Sequence, residues 1–239
     1  MVRRNFGDLS AARARGGFTL VELLVVIIII AILAAIAVPA VMRATATAQN
    51  ARIKTEIDML HMAIQQYKNE YGSYPPCYDA PVVAGNINQS VARKHVQRLF
   101  PRVFTENLPS ASNLLLLKPN TALVSWLLGY TDNPTDPLAQ GDTTLKRKKL
   151  FDFDQSRVSA DFKYHAPSKP NSLYVYIDNS NYGTPGIGVT PEPDLKTGLA
   201  FNPDSFQIIS AGRDEKYPSQ DDLSNFWPGT RQDYLDSLK

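Results

Sequence analysis

The sequence is poor in the residues that carry most recognisable chemistry. Of its 239 residues, one is cysteine (Cys77) and three are histidine. A single cysteine excludes an intrachain disulfide, so any core must hold without a covalent staple. A small, packed thiol is the expectation at Cys77. His61, His95 and His165 are far apart and lack metal-ligand spacing. There is no glycine-rich phosphate loop and no nucleophile elbow. Enzymatic activity is therefore not expected. Charge of one sign is also missing: 25 Lys and Arg face 23 Asp and Glu, a net of +2. That balance gives no reason to expect a nucleic-acid partner. No internal repeat is evident.

What the chain has is one long apolar run. From Leu23 to Met42 no residue is charged. About 20 residues of helix rise roughly 30 Å, the thickness of a bilayer core. A basic segment precedes the run, in which Arg3, Arg4, Arg13 and Arg15 outweigh Asp8. Such a bias places the N-terminus in the cytoplasm and the remainder outside. One acid, Glu22, stands at the mouth of the run. Placing a carboxylate in lipid costs a few kcal/mol, so an acid there is a functional residue that needs a partner. A secretory signal peptide cut near Ala37 to Ala40 is one alternative, but its apolar region should span only about 7–15 residues. A plain single-pass anchor is another. Neither explains Glu22 or the two glycines before Phe18.

The stretch Gly16-Gly17-Phe18-Thr19-Leu20-Val21-Glu22, with Pro39 inside the run, resembles the processing site of the type IV pilin and type II secretion pseudopilin superfamily. The resemblance implies that a prepilin peptidase cuts after Gly17 and methylates the new N-terminus at Phe18. It also implies that Glu22 meets the N-terminal amine of a neighbouring subunit in an assembled filament. Residues 1–17 would then be leader, 18–42 a transmembrane and assembly helix, and 43–239 a pilin-like head. The partners implied are the peptidase, other pilins or pseudopilins, and an inner-membrane secretion platform. Both a secretion pseudopilus and a type IV pilus fit. A membrane-tethered enzyme or binding domain is the alternative from another class.

The helical pattern continues past the membrane edge. Ile53, Ile57, Leu60, Ile64, Tyr67 and Tyr71 recur at spacings of four and three. Arg52, Lys54, Glu56, Asp58, Lys68 and Glu70 fall mostly off that stripe, which should face the core. Gly72 suits a helix C-terminus, and Pro75-Pro76 cannot continue one. The phrase Tyr67 to Pro75 is similar to the end of the long pseudopilin helix. Further on, helices are expected over Val91–Val103 and Thr121–Leu128, the second capped by Asn120 and ended by Gly129. Leu114–Leu117 is ambiguous between helix and strand. Loops are expected at Thr131–Gly141 and, as a mobile one, Tyr182–Gly198. Strands are expected at Leu150–Phe153, Phe162–His165, Leu173–Ile177 and Phe206–Ser210. The basic run Lys146–Lys149 suits a solvated sheet edge. Together these give an α+β fold, a long N-terminal helix packed on a small antiparallel sheet.

One loop stands out after the last strand. Asp214, Glu215, Asp221 and Asp222 crowd hard oxygens that repel unless they are solvated or bridged by a cation such as Ca²⁺. The pattern Ser210-x-Gly212-x-Asp214, with Asp221 and Asp222 seven residues on and aromatics beyond, resembles the calcium loop of major pseudopilins. That resemblance makes Asp214, Asp221 and Asp222 the candidate ligands. The alternative is a solvated turn in which Asp221 caps a short helix. Glu215, Tyr217 and Pro218 depart from the glycine-rich family loop.

Overall fold

A computed structural model describes residues 17–77, 91–104, 118–139, 146–167, 169–182 and 190–239. The basic leader up to residue 16, the run Leu114–Leu117 and parts of the two expected loops lie outside the described residues. The chain divides into two compact units, Met1–Ala46 and Thr47–Lys239.

In the first unit everything described from Leu20 onward is helix, the start of α1 (Leu20–Tyr71). Its apolar side chains are exposed, with Ile30 at 58% and Ile36 at 71%. The helix is long and apolar enough to cross a membrane. Pro39 sits inside it and lacks the N–H that would complete the ladder, a loss tolerated in lipid or a bundle.

In the second unit the rest of α1 presents the expected stripe. Ile53, Ile57, Leu60, Ala63, Ile64 and Tyr67 are all buried. Helix α1 stops where its residues require. Gly72 takes a φ of +79°, which only glycine adopts freely, and its N–H closes on the Lys68 carbonyl at 2.7 Å. Three hydrogen bonds then pin the exit. Tyr176 donates to the Pro75 carbonyl at 2.7 Å, Trp126 to that of Pro76 at 2.8 Å, and the Cys77 N–H to Asp178 at 2.8 Å.

Helix α2 (Val91–Leu99) is shorter than the expected span to Val103. Helix α3 (Ala122–Leu127) follows. Its N-cap is Thr121 rather than Asn120, and no side chain caps it; the Thr121 hydroxyl instead donates back to the Lys118 carbonyl at 3.3 Å. Gly129 ends the helix with a φ of +79°, and a Cβ there would lie 1.9 Å from the Lys148 carbonyl oxygen. The basic run lies against this turn rather than on a sheet edge: the Lys148 N–H donates to the Tyr130 carbonyl at 3.1 Å, and Arg147 forms an isolated bridge with Thr131. Arg147 donates to the carbonyls of Gly129 and Ala139, and Lys148 pairs with Glu70 at 2.7 Å.

Strands β1 (Tyr174–Asp178), β2 (Phe206–Ser210) and β3 (Leu223–Ser224) form an antiparallel sheet in the order β1-β2-β3. Tyr174 opposes Ser210, Asp178 opposes Phe206, and Ile209 opposes Ser224. Leu150–Phe153 is not a strand, and Phe162–His165 contributes only isolated bridges, Val158 to Tyr164 and His165 to Leu173. Every residue of β1 and β2 is buried, so both faces are covered. Tyr174 to Ile177 of β1, with Phe206 and Ile208 of β2, share a core cluster with the α1 stripe and α3. Residues 190–202, partly within the expected mobile loop, are tied to the strand: Gln207 accepts the Glu192 N–H at 2.8 Å and donates to the carbonyls of Glu192 and Phe201. A last helix, α4 (Arg231–Asp236), closes the chain. The architecture is α+β and pilin-like, a long N-terminal helix with a small antiparallel sheet.

Candidate functional site

Gly17 and Phe18 precede the helix, and Phe18 is 82% exposed. Thr19 and Glu22 then form a reciprocal cap. The Glu22 carboxylate accepts the Thr19 N–H at 2.9 Å and the Thr19 hydroxyl at 2.8 Å, while the Glu22 N–H donates to the Thr19 hydroxyl at 3.2 Å. This Thr-x-x-Glu box satisfies helix-end donors that lipid could not. The signal was present in the sequence as a threonine three residues before an acid, ahead of an apolar run. Glu22 is thus positioned within its own chain, four residues after the exposed Phe18.

The second candidate, the acidic loop, joins β2 to β3. Gly212 turns the chain with a φ of +62°, and a Cβ there would lie 2.3 Å from the Asp221 carbonyl oxygen. The turn brings Asp214, Asp221 and Asp222 together around one hydroxyl. Ser219 Oγ lies 3.3 Å from Asp214, 2.7 Å from Asp221 and 3.1 Å from Asp222. A hydroxyl has one proton to give, so three carboxylates share one donor. Backbone N–H groups supply the rest: Arg213 and Asp214 to Asp221, Lys216 to Asp214, and Ser219 to Asp222. Glu215 turns away toward Lys169, at 3.7 Å.

The electrostatics follow from burial. Asp222 is fully buried, and burial pushes its carboxyl up to about 7. The Ser219 hydrogen bonds oppose that shift, while the charges of Asp221 and Asp214 add to it. For Asp221 burial also pulls upward, but the bonds from Ser219, Arg213 and Asp214 outweigh it and hold the carboxyl below its usual range. The donor chemistry suits a hard cation such as Ca²⁺. Among the described residues, however, no group of three or more His, Cys, Asp or Glu side chains is arranged to hold a metal ion. As they stand, the three carboxylates face N–H groups and Ser219. Beyond the loop, Lys54 of α1 donates to the carbonyls of Ser224 at 2.7 Å and Trp227 at 3.1 Å, fixing the segment to the helix.

The third feature escaped the sequence. Glu56, placed by periodicity off the core stripe, is buried at 6% exposure. Its carboxylate takes both guanidinium nitrogens of Arg157, the Tyr164 hydroxyl at 2.6 Å and the Tyr174 hydroxyl at 2.5 Å. Burial raises the Glu56 carboxyl, but those hydrogen bonds and the Arg157 charge prevail and hold it below the usual range. A polar residue beside an apolar stripe, with an arginine and tyrosines in strand-like segments, is too weak a signal to have found it.

Comparison with known proteins adds one match. The prokaryotic N-terminal methylation motif covers residues 12–38. No curated protein and no solved structure matches the chain. The motif coincides with Gly17, Phe18 and Glu22 and with the start of the apolar helix. The chain carries a prepilin-type N-terminus and fits the type IV pilin and pseudopilin plan.

Proposed function

We propose that the protein is a structural subunit of a type II secretion pseudopilus, anchored in the inner membrane with its head in the periplasm. The observation that carries a filament role is the methylation motif at residues 12–38, running into an apolar helix whose side chains are exposed. Prepilin peptidase cuts after Gly17 and methylates Phe18. The subunit waits as a single-pass protein until the secretion platform extracts it. The exposed Leu and Ile side chains of α1 then bury against other subunits, and hydrophobic burial supplies the cohesion. The Thr19–Glu22 cap presents one carboxylate close to Phe18, and the amine of a neighbouring subunit's Phe18 neutralises it and sets the register. The lone cysteine favours a secretion pseudopilus over a type IV fibre subunit, since no disulfide can close a C-terminal loop.

Replacing Glu22 by leucine tests the assembly role. The anchor becomes more apolar, so insertion and processing survive. Cross-linking to other subunits falls sharply. Cross-linking and secretion equal to the parent would remove Glu22 from assembly.

The acidic loop supplies a second part of the proposal. Asp214, Asp221 and Asp222 hold Ca²⁺, with the carboxylates turning from their N–H partners toward the ion. A ligand that binds only the folded state stabilises it, by about 2.7 kcal/mol at a hundredfold excess over Kd. The protein then melts several degrees higher in calcium than in chelator. NaCl of equal ionic strength does not reproduce the shift, and Asp221→Ala with Asp222→Ala abolishes it.

A further inference from the structure

A cleft of about 510 Å³ opens between the end of α1, helix α2 and the end of β1. That volume lies in the range of small-ligand sites, roughly 300–1,000 Å³. Three cations line it: Lys68 from α1, and Lys94 and Arg98 from α2. All three are exposed to the opening. None forms an ion pair with a carboxylate among the described residues. Lys68 instead rests 4.2 Å over the Tyr74 ring, and Arg98 donates to Ser73 Oγ at 2.5 Å.

Two carboxylates share the lining, Asp178 and Asp204. Asp178 is already engaged. It accepts the N–H of Cys77 at 2.8 Å and of Ser180 at 3.2 Å, together with the Ser180 hydroxyl. Asp204 is exposed. The cations therefore keep their donors free of acidic partners, while the nearest buried acid is satisfied by the chain itself.

The floor holds a serine and a histidine, which invites a hydrolytic reading. Ser73 Oγ lies 3.3 Å from His95 Nδ1, and His95 Nε2 lies 2.7 Å from the Tyr67 hydroxyl. The chemistry points elsewhere. Arg98 donates to His95 Nδ1 at 3.2 Å, so that nitrogen is an acceptor and Nε2 carries the proton toward Tyr67. Burial, reinforced by the Arg98 charge, pushes the imidazole down to about 4. A general base works best with a pKa near the operating pH, and this one lies far below it. The arrangement orients Arg98 and Ser73 rather than activating a nucleophile.

We propose that this cleft binds a small multivalent oxyanion, a polyphosphate or a polycarboxylate. Arg98 offers a planar fork and the two lysines offer mobile point charges, the combination that recognises such groups. The test is calorimetric titration of the full chain in detergent micelles at pH 7 and constant ionic strength, with sodium pyrophosphate and separately with tricarballylate. One-site saturation is expected with at least one probe, and the tighter probe names the oxyanion. Lys94→Gln with Arg98→Gln weakens binding at least tenfold, whereas Lys146→Gln on the exposed basic run leaves it unchanged. Should the double variant melt early, Lys94→Gln alone is expected to weaken binding at least threefold with an unchanged melting temperature. No saturation with either probe, or binding by the folded variants within twofold of the parent, overturns the proposal.

Discussion

The two halves of α1 are made of similar apolar residues and lead opposite lives. Between Leu23 and Met42 the side chains face outward all round, with Leu24 and Ile28 about half exposed. Between Ile53 and Tyr67 one apolar stripe is almost completely buried, while Met59 and Met62 off it stay exposed. A helix that is apolar on every side has no preferred face and needs a surrounding apolar medium, lipid or other helices. A helix with one stripe needs a single partner surface, and here the chain supplies it through β1, β2 and α3. The difference separates the part of the helix that packs within its own chain from the part whose apolar side chains are left uncovered by it.

The largest effect should come from breaking the buried stripe. Leu60→Ala removes a fully buried side chain and costs about 2–5 kcal/mol of head stability. Ile30→Ala in the exposed half leaves head unfolding unchanged within about 0.5 kcal/mol. Denaturant unfolding in micelles, followed by tryptophan fluorescence, reads both, because Trp126 and Trp227 lie in the head. Equal losses would dissolve the distinction between the halves.

Glu56 sharpens the same comparison, since it is a charge buried on the packed half. Glu56→Ala leaves Arg157 with only the half-exposed Asp154 carboxylate, at 3.2 Å, and costs about 3 kcal/mol. Glu56→Leu with Arg157→Met, Tyr164→Phe and Tyr174→Phe recovers much of the loss, because no buried charge or hydroxyl is then left without a partner. The pH dependence has a definite sign. The folded carboxyl lies below its unfolded value, so its contribution is present above about pH 4 and is lost as pH falls through the folded value. A variant at Glu56 flattens that acid limb. An acid limb unchanged in Glu56→Ala would contradict the assignment.

Asp222 behaves in the opposite way. Its folded carboxyl is raised to about 7. Between about pH 4 and 7 the folded state holds a proton that the unfolded state has lost, so stability declines as pH rises. Asp222→Asn removes that decline, and so does saturating Ca²⁺ if the loop binds it. A decline that persists in Asp222→Asn would show that another group titrates there.

These contrasts also explain what could be read in advance. The membrane half was legible because length and the absence of charge suffice. The stripe was legible because Ile53, Ile57, Leu60, Ile64 and Tyr67 keep helical spacing, and the break at Gly72 because a positive φ suits glycine. Strand β2 was read to the residue at Phe206–Ser210, an apolar run followed by Ala211-Gly212. Glu56 was misplaced because periodicity assigns any acid to solvent, and its partners Arg157, Tyr164 and Tyr174 lie more than 100 residues away. Leu150–Phe153 alternates like a strand, yet the Leu150 N–H is drawn to the Leu127 carbonyl at the end of α3, at 3.0 Å. For the candidate site, the three loop aspartates were named, but not Ser219, the hydroxyl around which they gather.

We propose that α1 starts as a processed, methylated end and serves as an assembly surface. Intact mass of the full-length protein extracted from membranes tests it most directly. The expected result is a mature chain that starts at Phe18, heavier by one methyl group, with Gly17→Val leaving the precursor uncut but inserted. A mature chain beginning near Ala40 or Val41 would contradict it, because the apolar half of α1 would then be a discarded signal and not a filament core.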